Sequence, residues 1–459
     1  MKKNSVMTNV LRSFSFIGVV ALTLNGLPAN AQMDVDEALT VTALPQPIDT
    51  PKQVLIRNAT IWTLEDDGIL EDTDILLTNG KIGAIGKNLA PRRDALEIDA
   101  TGMHVTPGII DAHSHSAVEN TGVNEGVPSV SAEVRIEDII VPNDKSIYYQ
   151  LAGGVTAIHV LHGSANAIGG QNAMLKMRWG SKTSEEMRFK GAPPTIKFAL
   201  GENPKQSAFS GGFGRNPRYP ATRMGVAAII RDSFQKANDY RNEWAAYNAL
   251  SSSQQSRTAP PRRDLRLEAV AEILDGKRTI HAHSYRADEI LMLMRLAEDL
   301  GFTVGTFQHV LEGYQVADEM AQHGAHGSTF SDWWSYKIEA FEAIPYNAAI
   351  MEERGVLVSL NSDNDDLARR MFLEAAKMIR YGGVDRVNAF AMVSRNPAEQ
   401  LGILDRVGSL VAGKDADVVI WSGDPLSAYT HATHTFVDGK LMFSRAEDLA
   451  HRQRVTDAR

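Results

Sequence analysis

From Val105 to Arg406 short apolar runs alternate with stretches of helical periodicity, and few folds accommodate such a pattern over this length. The strand candidates are Gly108–Asp111, Val155–Val160, Thr195–Leu200, Thr279–His281, Thr303–Phe307 and Val356–Leu360. Between them lie helical stretches such as 223–250, where Val226, Ile229, Ile230, Phe234, Ala237, Tyr240, Trp244 and Tyr247 recur at helical spacing. Alternation of this kind argues for an α/β fold with parallel strands, and a (β/α)8 TIM-like barrel fits the length best. In such barrels the chemistry sits at the C-terminal ends of the strands.

The two ends of the chain read differently. Val54–Trp62 is strand-like, and Asp74–Leu77 and Lys81–Gly86 flank Asn79-Gly80, a strong hairpin signal. Ala416–Trp421 and Thr435–Leu441 repeat the pattern at the far end. Both ends are expected to pair into one small β-sandwich beside the barrel. The expected division is 1–31 leader, 32–104 and 406–459 sandwich, and 105–405 barrel. No internal repeat is seen. Ser251–Arg263 is a surface loop by composition, and the Gly-, Asn- and Pro-rich stretch Gly201–Arg223 reads as either a lid or a long connection.

Composition narrows the chemistry. None of the 459 residues is cysteine, so a Cys nucleophile, thiolate zinc sites, iron–sulfur clusters and disulfides are excluded. Any transition metal must sit on His and carboxylate ligands. The net charge of −9, without a Lys/Arg block, argues against nucleic acid as a partner. The start reads as an export signal: Lys2, Lys3 and Arg12, an apolar run from Phe16 to Leu24, then Pro28 and Ala29-Asn30-Ala31. Cleavage after Ala31 would release a periplasmic or secreted protein without a stable membrane span, since the run is shorter than a span needs. Barrels of this size often associate, so a homo-oligomer is an open expectation.

The sharpest chemical signal is Asp111-Ala112-His113-Ser114-His115 at the end of a strand. Residues i and i+2 of a strand point to one side, so His113 and His115 can face one ion. His281, with His283 two residues on, His309 and Asp363 stand at later strand ends, and Lys197 lies inside another strand. Five of the 13 histidines fall at strand ends of this region in order, a convergence foreign to ordinary packing histidines.

These residues and their flanks resemble the amidohydrolase superfamily, in particular its imidazolonepropionase-like and prolidase-like branch. The matching stretches are PGIIDAHSH (107–115), GGVTAIHVL (153–161), IHAHSYRADEI (280–290), FQHVLEGY (307–314) and NSD (361–363), with NPAEQLGILDRVGSLVAGKDADVVIWSGDP (396–425) near the C-terminus. The resemblance covers about residues 53–445 and implies a (β/α)8 barrel with a β-sandwich from both ends. It implies that His113, His115 and Asp363 hold one divalent metal, zinc by preference, and that His281 and His309 hold a second, for one or two ions per chain. Lys197, carboxylated by CO2, would bridge them; Glu202 is the alternative bridge, and His283 the alternative to His281. Asp363 is the expected catalytic proton shuttle. His162, Tyr285, Arg286, Trp333 and Trp334 are candidates for contact with substrate, as is Tyr336.

The function so implied is a secreted, metal-dependent hydrolase that cleaves an amide C–N bond of a small peptide or acyl-amino acid. A hydrolase of cyclic, imidazolone-type amides or a deaminase is the second reading. A non-catalytic binding protein is the third, and the full ligand set argues against it.

Overall fold

Alternating apolar residues build the sheets that carry the site. The computed structural model describes residues 44–118, 122–205 and 218–457, of which Leu44–Gln453 forms one unit. The leader-like segment 1–31 and the middle of Gly201–Arg223 lie outside the described residues.

Near the N-terminus run β1 (Gln53–Trp62), β2 (Ile69–Thr78), β3 (Lys81–Gly86), β4 (Leu96–Asp99) and β5 (His104–Pro107). The central strands are β6 (Ile109–Ser114), β7 (Val155–Val160), β8 (Ile168–Gln171), β9 (Ala173–Lys176), β10 (Thr195–Ala199), β11 (Thr279–Ser284), β12 (Val304–His309), β13 (His326–Thr329) and β14 (Val358–Leu360). At the C-terminal end follow β15 (Val418–Trp421), β16 (Ala432–Val437) and β17 (Lys440–Ser444).

The two chain ends share one eight-stranded sheet in the order β17-β16-β15-β5-β1-β2-β3, with β4 beside β1. The seam is the antiparallel pairing of β15 with β5, Val419 opposite Thr106. Asn79 and Gly80 both have positive φ, 50° and 82°, as the two-residue turn between β2 and β3 requires. Thr435–Leu441, expected as one stretch of strand, is two: Asp438 and Gly439, at φ 49° and 70°, turn the chain from β16 into β17. Ile56, Ile75, Ile82, Val105, Val418 and Phe436 form the sheet's own apolar core.

In the middle of the chain β10 to β14 are parallel and hydrogen-bonded in sequence order, with β8 antiparallel on the β10 edge. β6 and β7 form a second parallel pair, with β9 antiparallel to β7. The backbone N–H of Asp363, just past β14, donates to the His113 carbonyl in β6 at 3.0 Å and joins the two sets. Strand alternation assigns each residue its side. In β10, Ile196 and Phe198 belong to the apolar core, and the Phe198 ring meets Phe234 of helix Arg223–Asn248. Lys197 points the other way and is fully buried. The helix buries Val226, Ile230, Phe234 and Ala237 at spacings of four, four and three, and Thr222 caps its start. Ser251–Arg263, read as loop, contains one short helical turn, Ser252–Gln255, closed by a Ser251–Gln254 capping box.

Strands β8 and β9 have no counterpart among the strand candidates. Gly169-Gly170 in β8 is the local reason: a Cβ at Gly169 would lie 2.8 Å from His162 Nδ1, so only glycine lets this strand pass the ring. No helix of the described residues is long and apolar enough to cross a membrane.

Candidate metal centre

Strand ends and the turn after β14 bring three imidazoles around one carboxylate. Asp363 Oδ1 is 3.1 Å from His115 Nε2 and 3.5 Å from His113 Nε2, and its Oδ2 is 3.7 Å from His309 Nε2. His113, His309 and Asp363 each offer a ligand atom within 4.8 Å of the others, a cluster that could hold a metal ion. His309 and Asp363 reach these positions with left-handed backbone, φ 68° and 46°, and the β-branched Val310 follows His309 at φ 38°. Such conformations persist only where surrounding contacts enforce them, and they gather at functional sites.

Hydrogen bonding fixes which nitrogen faces the carboxylate. His115 Nδ1 lies 3.0 Å from the Leu161 carbonyl, which can only accept. The His115 proton is therefore on Nδ1, and its Nε2 lone pair points at an anionic oxygen 3.1 Å away. Two acceptors at that distance require a cation between them, either a second proton or a metal ion. His113 is likewise held at Nδ1, which faces Gln308 Oε1 at 3.1 Å, but its Nε2 lies 3.1 Å from Lys197 Nζ. Both nitrogens of the fully buried His309 lack a hydrogen-bond partner. Leaving such a group unsatisfied costs about 1–3 kcal/mol, which a coordinate bond would offset. On these grounds the donor set fits a divalent metal.

The electrostatics agree with that fit. Burial holds the His309 imidazole down at about 3, against the pull of Asp363. Burial and the Lys197 charge hold His113 well below its ordinary value. Neutral imidazoles are the form that binds a metal. Burial alone would raise Asp363, yet the close His115 Nε2 and the facing His309 hold it at about 2, so it is ionised. Lys197 is pushed down to about 7 by burial, with Asp363 opposing.

The remaining predicted residues divide. His283 joins the cluster, its ring 4.8 Å from His309, with Nδ1 unpartnered and Nε2 3.4 Å from Asn203 Nδ2. His281, preferred at the sequence level, is buried against His159 at 4.5 Å, and its Nδ1 takes the Gln308 Nε2 at 3.0 Å. Glu202 is partly exposed and sits 3.6 Å from Lys337 Nζ. His162 is held as a strut, Nδ1 to the Gly163 carbonyl at 2.8 Å and Nε2 accepting from the Glu125 N–H at 3.0 Å. Arg286 is committed to Asp288 at 2.9 and 3.1 Å, away from the cluster. Tyr285 stacks on His309 at 5.7 Å; Phe330 stacks on His309 at 4.7 Å and Trp333 on Phe330 at 4.3 Å. Trp334 is largely exposed.

Two contributors escaped sequence reasoning. Gln308 lies within the quoted stretch FQHVLEGY, and strand alternation puts it on the interior side with Thr306, a signal that was available. Lys337, whose ammonium lies 4.0 Å over the Tyr285 ring, sits in a loop with no periodic signal.

Comparison with known proteins agrees with this geometry. Residues 104–442 match the model of the amidohydrolase family. The amidohydrolase tasK of Hapsidospora irregularis is 28% identical over 439 residues, 85% of this chain and 43% of that protein. The chain thus spans less than half the length of that curated relative. A D-hydantoinase of Geobacillus stearothermophilus is 48% identical over 61 residues, only 13% of this chain and 12% of that one. Among solved structures, an amidohydrolase from Thermotoga maritima MSB8 is 32% identical with a TM-score of 0.77, covering 85% of this chain and 100% of that one. A prolidase in complex with N-methylphosphonate-L-proline is 15% identical at TM-score 0.53, covering 86% and 100%, a likeness of fold alone. These likenesses imply a TIM-barrel fold of mixed α/β content. With three-quarters of its length matched to the family's model and the His/His/Asp cluster at its strand ends, the chain belongs to the amidohydrolase family.

Proposed function

We propose that this protein is a metal-dependent hydrolase that cleaves the amide bond of a small peptide or acyl-amino acid. The observation that carries the reading is Asp363, an ionised carboxylate with the Nε2 atoms of His113 and His115 and the unpartnered ring of His309 gathered around it. His113, His115, His309 and Asp363 would hold the ion, with His283, whose ring lies 4.8 Å from His309, as a further ligand in preference to His281, whose Nδ1 accepts from Gln308 and whose proton is therefore on Nε2. Nitrogen and oxygen donors suit zinc, and manganese, iron or cobalt also. Such an ion, when bound, polarises a carbonyl and makes water a stronger acid.

The chain's own residues do the rest. Asp363, with no lysine or arginine hydrogen bond among the described residues, is placed to accept the proton of the attacking water and return it to the leaving nitrogen. His115 is steadied through the Leu161 carbonyl and His113 through Gln308, so neither ring can turn away. Lys197, buried and 3.1 Å from His113, is the proposed bridge after carboxylation, since a carbamate supplies the negative charge that two metals need. The stacked rings of Tyr285, Phe330 and Trp333 form one wall for a substrate.

The division into an accessory β-domain made of both ends and a catalytic barrel over 105–405 belongs to the same reading, as does export after cleavage at Ala31. Cyclic-amide hydrolysis, the second reading, draws support from short matches such as that to the D-hydantoinase, over 61 residues. The deciding experiment measures metal per chain, then turnover of dipeptide and acyl-amino-acid libraries with zinc or manganese present. One or two ions with amide turnover support the reading. No metal and no gain of activity on adding it would sink the reading.

A further inference from the structure

The loop after β13 sets a cation beside the cluster. Lys337 Nζ lies 4.0 Å from the Tyr285 ring centroid and 5.8 Å from that of Tyr336, while the Tyr336 and Tyr285 hydroxyls are hydrogen-bonded at 2.8 Å. Tyr285 in turn stacks on His309, so the ammonium is one ring removed from a proposed ligand. Its charge is felt at His283 and His309, where it opposes protonation.

The ammonium is neutralised but not saturated. Glu339 Oε1 is 3.0 Å away and Glu202 Oε1 3.6 Å away, close enough for ion pairing. Glu339 Oε1 nevertheless has no hydrogen-bond partner among the described residues. The other oxygen of Glu339 is already taken by the Arg223 guanidinium and the Glu202 N–H, each at 3.0 Å. Arg223 also pairs with Glu289, so this second cation is turned away from the cluster and used in the loop's own framework. Among the described residues, therefore, Lys337 holds a mostly buried ammonium whose donors make no hydrogen bond. Its side chain is 19% exposed, so a solvent-borne group can reach it. A desolvated ammonium with unspent donors is a receptor for a carboxylate, to which charge-assisted bonds form strongly.

We propose that Lys337 is a specificity-determining residue that binds a free carboxylate of the substrate, so that the preferred amides carry a carboxylate next to the scissile bond and an apolar group against Trp333. This rests on the hydrolase reading above and narrows its substrate class to carboxylate-bearing amides, such as dipeptides and N-acyl-amino acids with an unblocked C-terminus.

The test uses matched pairs of N-acetyl-amino acids and their carboxamides on the metal-supplemented enzyme. The wild type should prefer the acid in kcat/KM by about tenfold to a hundredfold, the range of a hydrogen bond to a charged group. In Lys337→Met this ratio should collapse towards one, and in Lys337→Arg it should largely return. A wild type blind to the carboxylate, or a Lys337→Met variant that keeps the preference, would overturn the assignment. Calorimetric binding of the same pairs separates the two readings. If nothing is turned over but the acid binds more tightly only when Lys337 is present, Lys337 stands and the amide-hydrolase reading falls. If neither turnover nor tighter acid binding is seen, both fall.

Discussion

The Gln308 carboxamide oxygen lies 3.1 Å from Nδ1 of His113, and this contact decides which nitrogen of His113 is free to bind a metal. The Lys197 ammonium or amine donates to His113 Nε2, so the His113 proton is on Nδ1 and the carboxamide must present oxygen to it. The other end of the same amide then presents its NH2 to His281 Nδ1 at 3.0 Å. One side chain thus sets two tautomers in opposite senses, and Gln308→Leu should release both. Loss of such a partner typically weakens metal binding by about 10- to 100-fold. Titration against a chelator of known affinity checks this, and an unchanged metal affinity would leave Gln308 with a packing role only.

Asp363→Asn tests the proton shuttle. The amide keeps the size and the backbone bond to the His113 carbonyl but cannot accept and return a proton. Turnover should fall by at least about 100-fold, with circular dichroism unchanged. Near-normal activity would remove Asp363 from the mechanism.

Much of this site was legible because its residues sit at the ends of strands whose apolar alternation is plain. His113 and His115 needed only the strand register to be seen on one side, whereas His309 and Asp363 stand at strand ends and turn to them through left-handed backbone, which the register does not encode. Sequence periodicity does not separate His281 from His283, because both point inward from β11 and only depth distinguishes them. His283 reaches His309, whereas His281 lies level with Lys197 in the sheet register and meets His159. Arg286 illustrates a second limit: as the residue just before helix Ala287–Leu300 it turns to Asp288 in the first turn. Lys337 and Glu339 belong to the single 3-10 turn Ile338–Ala340 and its cap, and their meeting with Arg223 and Glu202 depends on long-range packing, which periodicity does not encode.

Lys197 separates two versions of the centre. Burial favours its neutral amine, which can attack CO2 to form a carbamate with release of one proton. With 13C-labelled bicarbonate, the metal-loaded wild type should show a carbamate resonance that Lys197→Met lacks. The variant should also hold fewer ions per chain. If no carbamate forms and Glu202→Gln is the variant that loses metal, the bridge belongs to Glu202.

Away from the centre, Lys176 of β9 is fully buried and binds Asp415 at 2.8 Å, Asp417 at 3.2 Å and Asp438 at 2.5 Å. It ties β9 to the C-terminal strands, and Arg178 and Arg406 complete the network. Lys176→Met would leave carboxylates buried without their central cation, a change that typically costs about 3–5 kcal/mol. The pH dependence has a definite sign. Burial would raise the Asp415 carboxyl, but hydrogen bonds from Lys176, Lys81 and Arg406 hold it well below its ordinary range. A depressed folded value gives stability that is present above the unfolded value of about 4 and is lost as pH falls below it. Burial pushes Asp417 up to about 6, so removing Lys176 penalises its ionisation most at neutral pH. The gap in urea midpoint between wild type and Lys176→Met should therefore be wide at pH 7 to 8 and narrow steadily towards pH 4. A gap that stays constant across this range would show that Lys176 contributes packing rather than charge.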